Sequence, residues 1–266
     1  MYGAVPDGAL CALLGPSGSG KSSLLDLLTG RKDYGRCQGE ILFKGKPINH
    51  HQDAYINQSG YMRQVNTGYL DGLTVLENLV FAVMIRYPGS LGSQSRRVQL
   101  AVEQTSLESS AHTKAGGLSG GQKRRLQLAL ELLVDRRILF LDEPTSALDA
   151  NSSLELVTIL KRLSKKVTMV VAIHQPRPEV WRLFSHAILL SGGQTVYCGP
   201  AEGALAGTAR YLEERIRVPM PKVQRPGEPS PKDLAAVPEP TAAAEDNNIY
   251  PFSATMTGRP ENVAAL

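Results

Sequence analysis

Apolar residues in this chain follow two rhythms that alternate along most of its length. Short unbroken runs, Leu10 to Leu14, Ile138 to Leu141 and Val167 to Ile173, read as strands buried on both faces, because a half-exposed strand would show every second residue as polar. Between them, apolar residues recur three and four apart. Ser23 to Arg31 carries leucines at 24, 25, 27 and 28. The stretch opening at Thr74 carries Leu76, Leu79, Val80, Val83 and Met84. The one following Gln122 carries Leu126, Ala129, Leu130 and Leu133, and Ala150 to Lys166 carries Leu154, Val157, Leu160 and Leu163 as an expected inner face. Alternating strands and helices predict an α/β fold with a mostly parallel sheet.

Local signals set the boundaries. Thr74-x-x-Glu77 is a capping box, and Pro88-Gly89 stops the helix it opens. A less regular helical stretch over about Ser95 to Leu107 makes 74–117 a mostly helical insertion, extended to about 135 as a helical subdomain. Gln38 to Ile48 predicts an antiparallel strand pair turning at Lys44-Gly45-Lys46, and Ile56 to Gln64 a further strand. Ala187 to Leu190 and Thr195 to Cys198 predict a hairpin around Ser191-Gly192-Gly193-Gln194, and Glu202 to Ile216 a last helix. Seven prolines between Pro219 and Pro240 then break the periodicity. The folded domain is expected to span 1–218, with 219–266 a Pro/Ala-rich linker or disordered tail.

The chemistry centres on Gly15-Pro16-Ser17-Gly18-Ser19-Gly20-Lys21-Ser22, followed by Ser23, which fits the phosphate-loop pattern G-x-x-x-x-G-K-[ST] between a predicted strand and a predicted helix. Glycines let successive N–H groups curl round a phosphate, and the helix N-terminus adds partial positive charge. Lys21 is placed to meet β- and γ-phosphate oxygens, and the Ser22 hydroxyl to ligate Mg²⁺. At this distance from a phosphate loop, Gln64 can supply an amide oxygen to Mg²⁺ or to the attacking water. Asp142 and Glu143 close an apolar strand, where ligands of open α/β sheets bind: Asp142 as a magnesium ligand, Glu143 as the group that orients or deprotonates water. His174 stands directly after another strand. Leu118-Ser119-Gly120-Gly121-Gln122 heads a helix and reads alone as a flexible turn or as a second anion site, which has no second phosphate to bind unless it faces the nucleotide of another copy. Ser146-Ala147-Leu148-Asp149 precedes the helix that begins at about Ala150.

Composition narrows the classes. Hydrophobic residues make up 42% and charged residues 20% of the 266, and no apolar run approaches the ~18 residues of a spanning helix. The net charge of +4 is spread out. Its densest run, Gln122 to Arg125, reads as a solvated helix face rather than a nucleic-acid patch. Three scattered cysteines, Cys11, Cys37 and Cys198, suit a reducing compartment and no disulfide framework, and Met1 to Gly3 shows no signal peptide.

The motif order resembles the nucleotide-binding domain of ATP-binding-cassette (ABC) proteins over about Ala9 to Arg215. Finer stretches resemble the G (White) subfamily: Glu77-Asn78-Leu79-Val80-Phe81, Ile173-His174-Gln175-Pro176-Arg177-Pro178-Glu179 and Tyr197-Cys198-Gly199-Pro200-Ala201. The resemblance implies a P-loop NTPase core with antiparallel strands and a helical insertion, and ATP with Mg²⁺ as cofactors. It implies Gly15 to Ser23, Gln64 and Ser119 to Gln122 as ATP-binding residues, and Ser22, Gln64 and Asp142 as Mg²⁺ ligands. Catalytic roles fall to Lys21, Glu143 and His174, with Ser146 to Asp149 as the D-loop. It further implies a head-to-tail partner cassette, identical or not, and no nucleic acid. A transmembrane domain would place the chain on the cytoplasmic face of a membrane, driving transport of a lipid-like or hydrophobic substrate. The alternative is a soluble ABC ATPase, or a truncated nucleotide-binding interaction domain. The family also carries upstream strands and an aromatic residue stacked on adenine. Only Tyr2 precedes the loop here, too close for that part, so a bare sheet edge and a piece of a longer protein are expected.

Overall fold

The computed structural model describes residues 1–31, 36–48, 53–65, 68–204, 207–208 and 249–257. In chain order these form β1 (Tyr2–Pro6), β2 (Leu10–Leu14), α1 (Lys21–Leu28), β3 (Arg36–Phe43), β4 (Lys46–Pro47), α2 (Asp53–Gln58), β5 (Ser59–Met62), α3 (Val75–Arg86), α4 (Leu91–Gln104), α5 (Gly120–Leu132), β6 (Ile138–Asp142), α6 (Ala150–Ser164), β7 (Thr168–Ala172), α7 (Pro178–Trp181), β8 (His186–Ser191), β9 (Gln194–Pro200) and β10 (Ile249–Thr257).

The apolar runs form the middle of a six-stranded sheet ordered β5-β6-β7-β2-β8-β9, parallel except for the antiparallel β8–β9 hairpin. Every residue of β6 and β7 is buried, the burial that an unbroken apolar run predicts. One face packs α1 through Leu24, Leu25, Leu27 and Leu28 beneath a second, antiparallel sheet ordered β1-β10-β3-β4, which contributes Val5 and Ile41 to the same core. The other face packs α6 through Leu156, Val157, Ile159, Leu160 and Leu163. Helices α3, α4 and α5 enclose a separate core around Val75, Leu79, Val98, Leu126 and Leu133, which is the helical insertion. The α3 capping box is formed: Thr74 Oγ1 accepts from the Glu77 amide at 3.2 Å and the Glu77 carboxylate accepts from the Thr74 amide at 2.7 Å.

Four local expectations differ. Residues 56–58 belong to α2 and only Ser59–Met62 is strand, so Gln64 lies in the loop beyond it; the apolar side chains of Tyr55 and Ile56 mimicked a strand start. On α3 the buried face is Val75, Asn78, Leu79, Ala82 and Val83, while Val80 and Met84 are exposed, because the core takes one narrow stripe of a helix that is apolar on several sides. On α6 the inner face uses Leu156 and Ile159, and Leu154 is exposed. Within 219–266, expected as linker or tail, residues 249–257 form a strand between β1 and β3. Most of the helix expected over 202–216 lies outside the described residues, and so does the Cys37 side chain. Among the described residues Cys11 and Cys198 are free thiols, no helix is long and apolar enough to cross a membrane, and no cluster of His, Cys, Asp and Glu has metal-site geometry.

Candidate functional site

Sheet register places the site. Leu13, Ala172 and Asp142 sit in one row across β2, β7 and β6. The next hydrogen bonds continue that row: Ile173 N–H to Leu13 O at 3.1 Å and Glu143 N–H to Ala172 O at 3.0 Å. Gly15, Glu143 and His174 therefore emerge from adjacent strand ends, the edge of a parallel sheet where ligands bind.

The phosphate loop is folded and tight. Lys21, 7% exposed, turns back so that Nζ donates to the carbonyls of Gly15 at 2.8 Å and Pro16 at 3.1 Å. A Cβ on Gly15 would sit 2.4 Å from Ser19 Oγ and 2.5 Å from Leu190 O, so only glycine fits. Gly20 caps α1 in the left-handed region at φ 97°. The Ser19 hydroxyl is buried without a partner.

Asp142 is 7% exposed, and its Oδ1 is buried with no hydrogen-bond partner, while Oδ2 accepts from the Tyr61 hydroxyl at 3.4 Å. Burial pushes its carboxyl above the ordinary aspartate range. The Ser22 hydroxyl opposes that shift, and the Glu143 charge adds to it. A desolvated carboxylate with a free oxygen beside a serine hydroxyl is a donor set for a hard cation such as Mg²⁺. Gln64 Nε2 donates to Glu143 Oε2 at 2.8 Å, which brings together two residues 79 positions apart. Three non-glycine residues here have positive φ: Glu143 at 45°, Ala147 at 60° and Gln175 at 45°, all in or beside the motifs. Backbone held in this region costs of order 1–3 kcal/mol per residue and gathers where geometry matters more than stability.

The remaining motifs are ordered without joining the phosphate loop. Ser119 caps α5, with Ser119 Oγ accepting from Gln122 N at 3.2 Å and Gln122 Oε1 accepting from Ser119 N at 2.9 Å. Gly120 and Gly121 approach Leu148 and Ser152, so a Cβ on Gly121 would lie 3.0 Å from Ser152 Cβ. The signature thus packs on the Ser146 to Asp149 loop. Asp149 caps α6 through bonds of 3.1 Å from the amides of Asn151 and Ser152, and the Ser152 hydroxyl, helped by these amides, holds its carboxyl below the ordinary range. His174 is exposed at its strand end.

Two functional neighbours escape a motif-based reading. Tyr61 bonds Asp142 and lies under the guanidinium groups of Arg31 at 5.3 Å and Arg63 at 5.9 Å. Arg124, placed by sequence on a solvated face, is 5% exposed and donates to the carbonyls of Arg63 and Gln64. Arg125 beside it pairs with Glu155. The run Gln122 to Arg125 is therefore a clamp, because α5 lies against the 63–65 loop on one side and α6 on the other. The signal for Tyr61 was its place near a strand end, two positions before the site row; nothing local marked Arg124.

A family model described as "ABC transporter" matches residues 2–146. The broad substrate specificity ATP-binding cassette transporter ABCG2 of Mus musculus is 40% identical over 204 residues, covering 74% of this chain and 30% of that protein. ABC transporter G family member 24 of Dictyostelium discoideum is 40% identical over 238 residues, covering 82% of this chain and 20% of that protein. The chain thus spans less than a third of the length of these relatives. Among solved structures, cbiO1 of Clostridium perfringens, part of the ABC transporter complex cbiONQ, aligns with a TM-score of 0.68 and 25% identity over 80% of this chain and 86% of that one.

Proposed function

This chain belongs to the ABC transporter family, in its G subfamily, as an ATPase domain; from that premise we propose that two such cassettes, closing head to tail, drive a membrane domain that moves a lipid-like or hydrophobic substrate. The observation that carries the site assignment is the convergence, at adjacent strand ends, of the Lys21 loop, the orphaned Asp142 oxygen and the Gln64–Glu143 pair.

Bound ATP with its Mg²⁺ supplies the anhydride bond and the positive charge that phosphoryl transfer needs. The loop amides around Gly15 to Ser23 cradle the phosphates, and Lys21 exchanges its carbonyl partners for phosphate oxygens. Ser22, Asp142 and Gln64 are the residues that would hold the cation. Glu143, steered by Gln64, orients the water and accepts its proton, and His174 faces the same end of the site. Ser119, Gly120 and Gly121 serve the partner's nucleotide, with Gly120 beside Leu148, Gly121 beside Ser152 and Ser146 to Asp149 at the seam. On α3, Val80, Phe81, Met84 and Ile85 are 45%, 53%, 59% and 68% exposed. Four large apolar side chains within six residues are a docking face, here assigned to the membrane domain that holds the chain at a cytoplasmic surface.

Glu143→Gln tests the central role. The variant is expected to retain ATP binding, to lose turnover by about 100-fold or more, and to accumulate as a dimer when ATP is present. Unchanged steady-state turnover refutes the assignment.

A further inference from the structure

The antiparallel sheet contains a gap filled from far away in the chain. Strand β10 pairs antiparallel with β1 on one side and β3 on the other, so β1 and β3 run parallel without being neighbours. On its far side β1 is held by two side chains. Thr195 Oγ1 accepts from Tyr2 N–H at 2.9 Å and donates to Tyr2 O at 2.7 Å, and Cys198 Sγ lies 3.3 Å from Ala4 N and 3.5 Å from Ala4 O. Since polar groups alternate sides along a strand, those of Gly3 and Val5 face β10.

The sequence of 249–257 matches that gap. Apolar residues stand at 250, 252, 254 and 256, alternating with Ser253, Thr255 and Thr257. Register sets Tyr250 beside Val5 and Phe252 beside Ile41, both core residues. Pro251 stands opposite Ala4, whose polar groups turn to Cys198, and the ladder to β3 begins only at Phe252. The proline's missing N–H is therefore not needed where it falls. Residues 209–248 join the strand covalently to the rest of the chain, so a free peptide competes for the gap with an intramolecular partner.

We propose that the gap between β1 and β3 is a strand-acceptor site for an extended peptide with alternating apolar residues, and that the chain's own residues 249–257 are its tethered, displaceable occupant. Because β1 leads into β2 and the phosphate loop, and β3 follows α1, the occupant braces both flanks of the nucleotide site.

The full chain carrying Ser253→Pro and Thr255→Pro tests this, since both substitutions remove amides that face β3. Exchange at the Gly3 and Val5 amides is expected to accelerate about tenfold or more. A labelled peptide of residues 249–257 should bind this variant saturably and leave the unaltered chain unbound. A second readout does not depend on destabilising the strand: in a Cys37→Ser background, Glu40→Cys with Ser253→Cys, which are register partners, should oxidise to a disulfide within one chain. Unchanged exchange, absence of the intrachain disulfide, or disulfides found only between two chains would overturn the proposal. Since none of these readouts uses ATP turnover, failure of the transport reading leaves the result interpretable.

Discussion

Replacing Arg124 by methionine tests whether α5 controls the position of Gln64. The guanidinium donates to Arg63 O at 3.3 Å, to Gln64 O, and to Gln127 Oε1 at 3.0 Å, and Gln127 in turn donates to Val65 O at 3.2 Å. Three successive carbonyls of the loop therefore hang on two side chains of one helix. Burial pulls the Arg124 guanidinium below its ordinary pKa, so the charge is held at a desolvation cost that its hydrogen bonds offset. Methionine keeps the stem's packing, removes that cost and loses the bonds. Each bond to a charged group contributes about 1.5–3 kcal/mol, but Arg63 and Gln64 are exposed and their carbonyls regain water, so the net loss is about 2 kcal/mol. For a chain of this size that lowers Tm by about 4–8 °C. The larger effect falls on turnover. With the loop released, the single 2.8 Å bond from Gln64 no longer fixes Glu143, and kcat should fall about 10- to 100-fold, while KM for ATP rises far less, because of the nucleotide's proposed contacts only Gln64 is loosened and the phosphate loop is untouched. Steady-state kinetics with thermal melts separate the outcomes. A lower Tm with unchanged kcat would refute the positioning role, and a raised KM at constant kcat would move Arg124 to nucleotide binding.

Two further variants probe other layers of the structure. Gly15→Ala forces a Cβ to within 2.5 Å of Leu190 O; backbone cannot yield cheaply, so ATP affinity should drop about tenfold or more in a nucleotide titration, and an unchanged Kd would refute the tight-loop geometry. Asp135 forms a bidentate pair with Arg97 at 3.1 and 2.6 Å, which holds its carboxyl below the ordinary range. Its side chain is 85% exposed, so solvent screening limits the contribution to about 0.5–1 kcal/mol. A lowered folded-state pKa stabilises above the ordinary aspartate value and loses that stability as pH falls through the lowered one. Asp135→Asn should therefore melt a few degrees lower at pH 7, with the difference shrinking as pH falls below the ordinary aspartate range and vanishing once the lowered pKa is passed; a difference constant with pH would show that packing, not charge, is responsible.

What was legible from sequence and what was not divide along sequence separation. The phosphate loop, the capping box at Thr74, the capped signature helix and the buried runs of β6 and β7 are local: each is specified by residues within a few positions of one another, and each formed as read. The Gln64–Glu143 bond joins residues 79 positions apart; the motif order implied that both serve one site, but not that they bond each other. Arg124 carried no such warrant. A basic run on a helix has the same local appearance whether it meets water or a loop sixty residues away, and only the packing of α5 against 63–65 decides which. The same holds for α3, where several apolar faces compete and tertiary contact selects one.

Strand β10 is the sharpest case, because two signals in one segment point in opposite directions. Proline density from 219 to 240 argues for linker, and the alternation at 250, 252, 254 and 256 argues for a strand. Pro251 tips a local reading toward linker, since proline is excluded from a central strand that must donate at every position. The objection disappears only when both neighbours are known: Ala4 already spends its polar groups on Cys198, and β3 does not begin to pair until Phe252. The proline thus falls where neither neighbouring strand needs its missing N–H. Shifting the register by one residue would set the proline against Gly3 or Val5, whose polar groups face β10. The proline therefore serves as a register lock, and moving it by one place, Pro251→Tyr with Tyr250→Pro, should weaken the strand more than removing it by Pro251→Ala. Hydrogen exchange at Gly3 and Val5 reads the difference, and equal protection in the two variants would refute the lock.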